Sequence, residues 1–164
     1  MNDSFDISYY ESPIGLIQIK SINHKICSVL FVDKESEPFT IDTPLNKECI
    51  KQLKEYFAGT RLQFDLPIFQ IGTDFQQKVW NEVYQIAYGD TCTYSLLAHK
   101  IGDIKSIRAV GTTNGKNKIA IIVPCHRVIG SDGSLTGYAW GLDKKEWLLK
   151  HEIEHAGPIE GRLF

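Results

Sequence analysis

The chain has 164 residues, of which 43% are hydrophobic and 23% are charged, a balance typical of a folded globular protein rather than a disordered one. No apolar run approaches the roughly 18 residues that a membrane helix needs, and residues 1–6 lack the basic and apolar segments of a secretion signal. We therefore expect a protein that stays inside the cell, in the cytoplasm or, in a eukaryote, in the nucleus. The net charge of −2 argues against a generic nucleic-acid binder.

The beginning of the chain has the pattern of three short strands. Residues 7–10, 15–20 and 26–32 are rich in β-branched and aromatic side chains. Turn residues separate these runs, first at Ser12 and Pro13 and then at Asn23 and His24. The sequence therefore predicts a small sheet at the start of the chain.

A helix and another strand are predicted next. Asn46 is a candidate helix cap, and Gly59 can close the C-terminus of the helix. The apolar residues of one helical stripe are Ile50, Leu53 and Phe57. Alternation of apolar and polar residues over 62–66 predicts a further strand, and residues 67–72 have the composition of a linker.

The second half of the chain is predicted to be mostly helical. Thr73 and Gln76 fit a capping box for a first helix. Thr93 or Ser95 can cap a short helix that stops at Gly102. Two further caps are predicted. Asp103 would begin a helix of residues 104–114, and Asp143 would begin a last helix that reaches about residue 155.

The two short helices around Gly102 have the spacing of a helix-turn-helix, a motif that commonly lays its second helix on DNA. The same pattern fits two packed helices without any nucleic acid. Residues 94–127 contain six basic residues and one acidic residue. The basic residues are Lys100, Lys105, Arg108, Lys116, Lys118 and Arg127. Charge is thus concentrated where a phosphate backbone could use it, although a solvated basic face remains an alternative.

The residues that point to chemistry follow an apolar run, residues 119–123, which predicts a buried extended segment. This run delivers Cys125 and His126 just after Pro124. A thiol with an ordinary pKa is only about 3% ionised at neutral pH, so a nucleophilic cysteine needs a base or positive surroundings. His126 and Arg127 are candidates for both. A buried structural cysteine beside a surface histidine is the alternative.

The other cysteines, Cys27, Cys49 and Cys92, are interpreted as free thiols in the core or at the surface, because the chain has no Cys-x-x-Cys pair. A zinc site formed with His24 would have irregular ligand spacing, so we expect no metal. The first half also has no acidic metal-binding cluster, and we predict no nuclease activity there.

The segment 124–129 resembles the active-site motif of the O6-alkylguanine-DNA alkyltransferases. The resemblance covers nearly all of residues 73–155, whereas residues 1–72 match only in length and coarse strand content. The matching segments are 75–80, 88–90, 93–94, 108–111, Asn117, 137–138, 145–149 and 151–152. The resemblance implies an α+β fold. A small N-terminal sheet-and-helix domain similar to ribonuclease H, residues 1–72, would pack on a mostly helical catalytic domain with a winged helix-turn-helix, residues 73–164.

The function implied by the resemblance is DNA repair by direct, irreversible transfer of an alkyl group from O6-alkylguanine to Cys125. Each molecule would act once, as a suicide methylated-DNA–protein-cysteine S-methyltransferase, without cofactor or metal. The partner would be double-stranded DNA, bound through the minor groove with the damaged base flipped out. We expect a monomer and no membrane partner. Activity on O4-alkylthymine and cooperative binding to DNA stay open.

The resemblance also implies roles for five residues near the thiol. Cys125 would be the acceptor, and His126 would deprotonate it through a bound water. Glu152 would hold the imidazole in the required tautomer, as in a nucleophile–base–orienter triad. Asn117 would brace the loop before the cysteine. Tyr94 would press on the phosphate beside the target nucleotide and donate a proton to the leaving guanine.

The DNA contacts implied by the resemblance centre on the second short helix. Arg108 would fill the gap that the flipped base leaves in the stack. Ala109 and Gly111 have almost no side chain and would let the helix approach the backbone closely. Thr93, Tyr94 and Lys105 would make further contacts with the DNA.

The pocket for the flipped base would be walled by the loop 130–140 and by residues beside it. The expected pocket residues are Val128, Tyr138, Ala139 and Trp140. Trp140 stands where smaller residues are frequent in the family. We therefore expect a narrower pocket that favours methyl groups over larger ones.

Two other classes of function remain as alternatives. The first is a damage-binding module without transfer, similar to the alkyltransferase-like proteins, but those carry tryptophan where this chain has Cys125. The second is a Cys-His hydrolase, which would require an oxyanion site that the sequence does not reveal.

Overall fold

The computed structural model describes residues 4–157, and they begin with an antiparallel sheet. Its strands are β1 (Asp6–Ser12), β2 (Gly15–Ile22) and β3 (Lys25–Val32), in the order β1-β2-β3. Asn23 and His24 join β2 to β3 with φ values of 50° and 61°, as a two-residue hairpin turn with right-handed strand twist requires. The predicted sheet is confirmed.

Helix α1 (Pro44–Phe57) covers this sheet, but Asn46 does not cap it. Thr43 is the cap, and its hydroxyl accepts the Asn46 backbone N–H at 3.1 Å. The Asn46 side chain is buried instead, where its amide donates to the Ser8 hydroxyl at 2.9 Å. The predicted cap was wrong because tertiary contact with β1 took the amide.

The strand predicted over residues 62–66 is also wrong. Leu62 is 47% exposed, so the alternation there does not mark a strand with one buried face. The backbone of Asp65 pairs with a side chain rather than with a neighbouring strand. The Gln52 amide accepts its N–H at 2.8 Å and donates to its carbonyl at 3.0 Å. A single glutamine on α1 thus replaces the expected ladder.

The second half is helical, as predicted. Helix α2 (Asp74–Tyr84) begins with the predicted capping box. The strand β4 (Cys92–Thr93) leads into α3 (Tyr94–Ile101), capped by the Thr93 hydroxyl and closed by Gly102 with φ of 96°. Asp103 caps a single 3₁₀ turn (Ile104–Ser106), which continues into α4 (Ile107–Gly115). Helices α3 and α4 pack together as the expected helix-turn-helix pair.

The last elements complete the C-terminal half. The strand β5 (Val128–Ile129) pairs in parallel with β4, and α5 (Leu142–His155) follows. Asp143 does not cap α5, contrary to the sequence prediction. Gly141 precedes the helix and gives it no side-chain cap, whereas Asp143 lies in the first turn, where a negative charge favours the helix dipole.

Residues 119–123 are buried as predicted, yet they are not extended. Only Ile119 pairs with a strand, through a bridge to Val29, and Ile121 adopts a left-handed φ of 70°. The Asn117 amide donates to the carbonyls of Ile119 and Val123 at 3.2 Å and 2.9 Å. One side chain therefore draws both ends of the run together into a tight turn.

One hydrophobic core extends through both halves of the chain. It includes Ile17 and Leu53 from the first half and Val83 and Leu148 from the second. Backbone hydrogen bonds from β3 to Lys118 and Ala120 join the halves directly. Within residues 4–157, every helix is too short or too polar to cross a membrane.

The C-termini of α1 and α5 meet at Gly59, which follows α1 with φ of 81°. A Cβ atom on Gly59 would overlap the His155 ring, whereas a Cβ on Gly133, with φ of 82°, would meet nothing within 4 Å. These two glycines therefore share a conformation but differ in their surroundings.

We expect Gly59→Ala to lower the free energy of unfolding by about 2 kcal/mol, because left-handed strain and the overlap with His155 add. Gly133→Ala carries the strain alone and should cost about 1 kcal/mol. Urea unfolding of both variants measures the difference, and in a His155→Ala background the two costs should converge. Equal costs in the unaltered background would contradict the contact.

Candidate active site

Cys125 lies at a pocket of about 520 Å³ beside helices α3 and α4. The side chain is only 3% exposed and begins a 3₁₀ turn (Cys125–Arg127). The lining includes Tyr94, Asn114, Thr136 and Tyr138. Since this turn follows the tight turn at residues 119–123, the backbone delivers the thiol to the pocket without any strand.

The thiol of Cys125 is held neutral in this pocket. Burial raises its pKa to about 11, against the opposing effects of an Asn117 hydrogen bond and the Lys145 charge. The Asn117 amide donates to Sγ at 3.3 Å while it also holds the preceding turn. Positive surroundings alone therefore do not ionise this thiol, and chemistry here requires a base.

His126, which follows Cys125 in the chain, forms a buried pair with Glu152. His126 Nε2 lies 2.6 Å from Glu152 Oε2, and both residues are 0% exposed. This contact places the N–H of a neutral imidazole on Nε2 and leaves Nδ1 as an acceptor. Nδ1 is buried and has no hydrogen-bond partner among residues 4–157. The imidazole can therefore accept a proton at Nδ1.

The charge states of this pair follow from burial and from Arg127. Burial lowers the pKa of His126 below its ordinary value of 6.5, although Glu152 opposes the shift. Burial alone would raise the pKa of Glu152, but His126 and Arg127 outweigh it and hold that pKa well below its usual range. At neutral pH the site therefore contains a neutral base oriented by an ionised carboxylate.

Arg127 lies in the interior, not on a phosphate-binding surface. It is 6% exposed and donates to Glu152 through Nε at 2.7 Å and Nη2 at 3.1 Å. Its Nη1 donates to the Ile86 carbonyl at 2.6 Å. The charge pattern of residues 94–127 had predicted that Arg127 is among the basic residues available to DNA. Its position beside the Cys-His pair was the available signal for a buried role.

Two further polar residues of the site were not predicted from the sequence. The Tyr56 hydroxyl, on α1, donates to Glu152 Oε2 at 2.6 Å. Lys145 is fully buried, and its ammonium group donates to the carbonyls of Val128 and Gly137 at 2.6 Å and 3.1 Å. Lys145 shares the buried face of α5 with Glu152 at a spacing of seven, a pattern that could have identified it. No local pattern links Tyr56 to this site.

The residues expected to contact DNA lie around α3 and α4. Lys105, Arg108 and Ala109 are exposed, and Gly111 lines the pocket. Tyr94 lines the same pocket and donates its hydroxyl to the Thr136 carbonyl at 2.9 Å. Thr93 caps α3 at the edge of this surface. The structure thus brings an exposed helix and the thiol pocket together.

The pocket walls match the expected residues only in part. Tyr138 and Ala139 line the pocket, whereas Val128 is fully buried. Trp140 lies outside the lining and packs edge-on against Phe31 and Tyr138, with ring centroids 6.1 Å and 5.1 Å apart. The indole is drawn toward β3, so it does not narrow the pocket in this structure.

A larger cavity of about 820 Å³ lies between β3 and the end of α4. It contains the thiol of Cys27, whose pKa is raised by burial, but no histidine lines it in the described part of the chain. No group of three potential metal ligands lies together within residues 4–157. Of Cys27 and Cys125, only Cys125 is therefore accompanied, within the described residues, by a histidine that could act as its base.

Both halves of the chain match domains of one known protein family. Residues 7–69 match the ribonuclease-like domain of 6-O-methylguanine DNA methyltransferase, and residues 74–154 match the DNA binding domain of that family. A methylated-DNA–protein-cysteine methyltransferase of Methanosarcina acetivorans is 46% identical over 148 residues, which cover 87% of this chain and 95% of the relative.

Solved structures agree with these matches. The crystal structure of Mycobacterium tuberculosis O6-methylguanine methyltransferase superposes with a TM-score of 0.85 at 39% identity, covering 94% of this chain and 96% of the other. The structure of the M. tuberculosis protein in complex with DNA gives 0.83 at 40% identity, covering 90% and 92%. This chain belongs to the 6-O-methylguanine DNA methyltransferase family.

Proposed function

We propose that this protein repairs DNA by transferring an alkyl group from O6-alkylguanine to Cys125, once per molecule. The observation that carries the proposal is a buried thiol in the lining of a pocket, followed in the chain by a neutral imidazole that an ionised carboxylate orients. The similarity to the M. acetivorans relative, which is named for this activity, covers 95% of that relative's length. No cofactor or metal takes part.

The proton leaves Cys125 before or as the thiol attacks. His126 accepts it at Nδ1 through one water, and Glu152 stabilises the imidazolium that forms. The thiolate then attacks the alkyl carbon, so an S–C bond forms while the bond from that carbon to guanine O6 breaks. The product is a thioether without a leaving group that water can displace. The protein therefore does not turn over.

The electron pair of the broken bond remains on guanine, which needs a proton. Tyr94 is suited to supply it, because its hydroxyl lies at the pocket and burial raises its pKa. It therefore keeps its proton at neutral pH. A neutral guanine is a better leaving group than its anion, so this donation lowers the barrier to transfer.

DNA binds through α3 and α4, and the damaged base flips into the pocket. The exposed Arg108 fills the vacated position in the stack, and Ala109 and Gly111 allow close approach to the minor groove. Lys105 and Thr93 contact the backbone. Duplex DNA with alkylated guanine is thus the partner, bound by a monomer in the cytoplasm or the nucleus of a eukaryote.

We assign the chemistry and the DNA contacts to residues 73–164 and a structural role to residues 1–72. The carbonyl and amide of Val29 on β3 hold Ala120 and Lys118, just ahead of the cysteine turn. The first half thereby fixes the backbone that carries the nucleophile.

Cys125→Ala should abolish transfer, because the variant lacks the acceptor sulfur, while DNA binding stays near its original affinity. Intact-protein mass after incubation with duplex containing O6-methylguanine measures transfer. The matched control is Cys27→Ala, which should gain one methyl group like the unaltered protein. A methyl gain in Cys125→Ala would sink the assignment, and repeated release of product would indicate hydrolysis instead.

Arg108→Ala should slow transfer from duplex DNA by at least about tenfold, since unstacking a base costs a few kcal/mol without the plug. Transfer from the free base O6-methylguanine should change little, because it needs no extrusion. Lys105→Ala is the comparison, because it removes an exposed cation that contacts the DNA backbone but leaves the plug, and it should slow duplex transfer less than Arg108→Ala. Equal slowing on duplex and free base would show that Arg108 acts elsewhere.

The pH dependence of transfer should follow His126 rather than the thiol. Since the pKa of His126 is lowered from 6.5, the imidazole is neutral at pH 6.5 and above, and the rate should fall only as pH drops below that value. Single-turnover rates between pH 5 and 9 test this, with circular dichroism at each pH to verify folding. A rate that instead climbs tenfold per pH unit up to pH 9 would indicate unassisted ionisation of Cys125, whose pKa is about 11.

A further inference from the structure

Tyr56 belongs to the first half of the chain but reaches the catalytic carboxylate. It lies on α1, is fully buried, and donates its hydroxyl to Glu152 Oε2 at 2.6 Å. The same oxygen accepts from His126 Nε2 at 2.6 Å and from Arg127 Nη2 at 3.1 Å. The oxygen that orients the base is therefore shared among three donors.

We propose that Tyr56 is a positioning residue for alkyl transfer. Its hydroxyl fixes the position of the Glu152 carboxylate and reduces the negative charge that this carboxylate presents to His126. This inference rests on the proposed function, since it assigns a role within that reaction. It gives the N-terminal half a direct part in the chemistry, beyond support of the backbone.

The hydroxyl of Tyr56 is held in place by the packing of its ring. Ring centroids of Phe57, His151 and Phe64 lie 5.3 Å, 5.4 Å and 5.7 Å away. The Tyr56 carbonyl also contacts His151 Nε2 at 2.7 Å. Because ring and backbone are both fixed, the hydroxyl meets Glu152 in one direction, which preorganises the carboxylate.

Tyr56 remains a donor throughout the working pH range. Burial first, and then the charge of Glu152, raise the pKa of Tyr56 well above its ordinary value. The other charged or titratable groups that act on His126 or Glu152 are Arg127, Lys145, Tyr88 and Tyr138, and His151 packs against the Tyr56 ring. None of these is altered when the Tyr56 hydroxyl alone is removed.

Removal of the hydroxyl has a predictable direction. Without this donor, Glu152 Oε2 carries more negative charge toward His126, and the imidazolium becomes more stable. The pKa of His126 should therefore rise, and the imidazole should lose its capacity to accept a proton at a higher pH than before. A residue that served only to fill the core would leave this value unchanged.

The test compares Tyr56→Phe with Tyr9→Phe. Both replacements keep the ring and remove one hydroxyl that donates at 2.6 Å, but Tyr9 donates to the Glu37 carbonyl at the surface. We expect the acid limb of the single-turnover rate profile to move up by at least about half a pH unit in Tyr56→Phe. Tyr9→Phe should match the unaltered protein. An NMR titration of the His126 ring should give the same shift.

An unchanged midpoint in folded Tyr56→Phe, or equal shifts in both variants, would overturn the inference. If the unaltered protein gains no alkyl mass, the proposed function fails, while the NMR titration still decides whether Tyr56 tunes His126. If Tyr56→Phe does not fold, the NMR spectrum of the unaltered protein decides. A slowly exchanging Tyr56 hydroxyl proton close to the His126 ring supports the inference, and its absence overturns it.

Discussion

The ionised carboxylate of Glu152 is the constraint on which this site depends. A buried anion is costly unless it is paired and hydrogen-bonded. Here Arg127 supplies the positive charge through two N–H groups, and His126 and Tyr56 supply further donors. These partners come from α1 and from the turn that carries the nucleophile. Folding must bring both to α5 before the carboxylate can be buried, so assembly of the core and assembly of the site are the same event.

Local sequence predicted the elements whose signals are themselves local. The capping box at Thr73 and Gln76, the Gly102 stop and the hairpin turn at Asn23 and His24 depend on neighbouring residues, and all three formed. The errors arose where a side chain from outside the predicted run competed for the hydrogen bonds of its backbone. Gln52 took the hydrogen bonds of a predicted strand, and Asn117 folded a predicted extended run into a turn. The propensities of the residues in a run contain no information on such side-chain partners.

Some residues of the candidate site could likewise be predicted from the sequence, and others could not. Cys125 and His126 could be proposed from the sequence because they are adjacent, and Glu152 because a family motif includes it. Tyr56 could not, since 96 positions separate it from Glu152 and nothing near it indicates chemistry. Arg127 was predicted both as a positive group for the thiol and as a cation available to DNA, because charge counts carry no information on burial. Trp140 was placed at the pocket, whereas contact with Phe31 directs it elsewhere.

The raised pKa of the Cys125 thiol affects how long an unreacted molecule, which can react only once, keeps its thiol intact. Free thiolates are attacked by peroxides and stray electrophiles, and their susceptibility follows ionisation and exposure. A neutral, 3% exposed sulfur offers neither. The Cys125 thiol can therefore remain unreacted in the presence of reactive small molecules. It reacts when a ligand fills the pocket and His126 accepts the thiol proton.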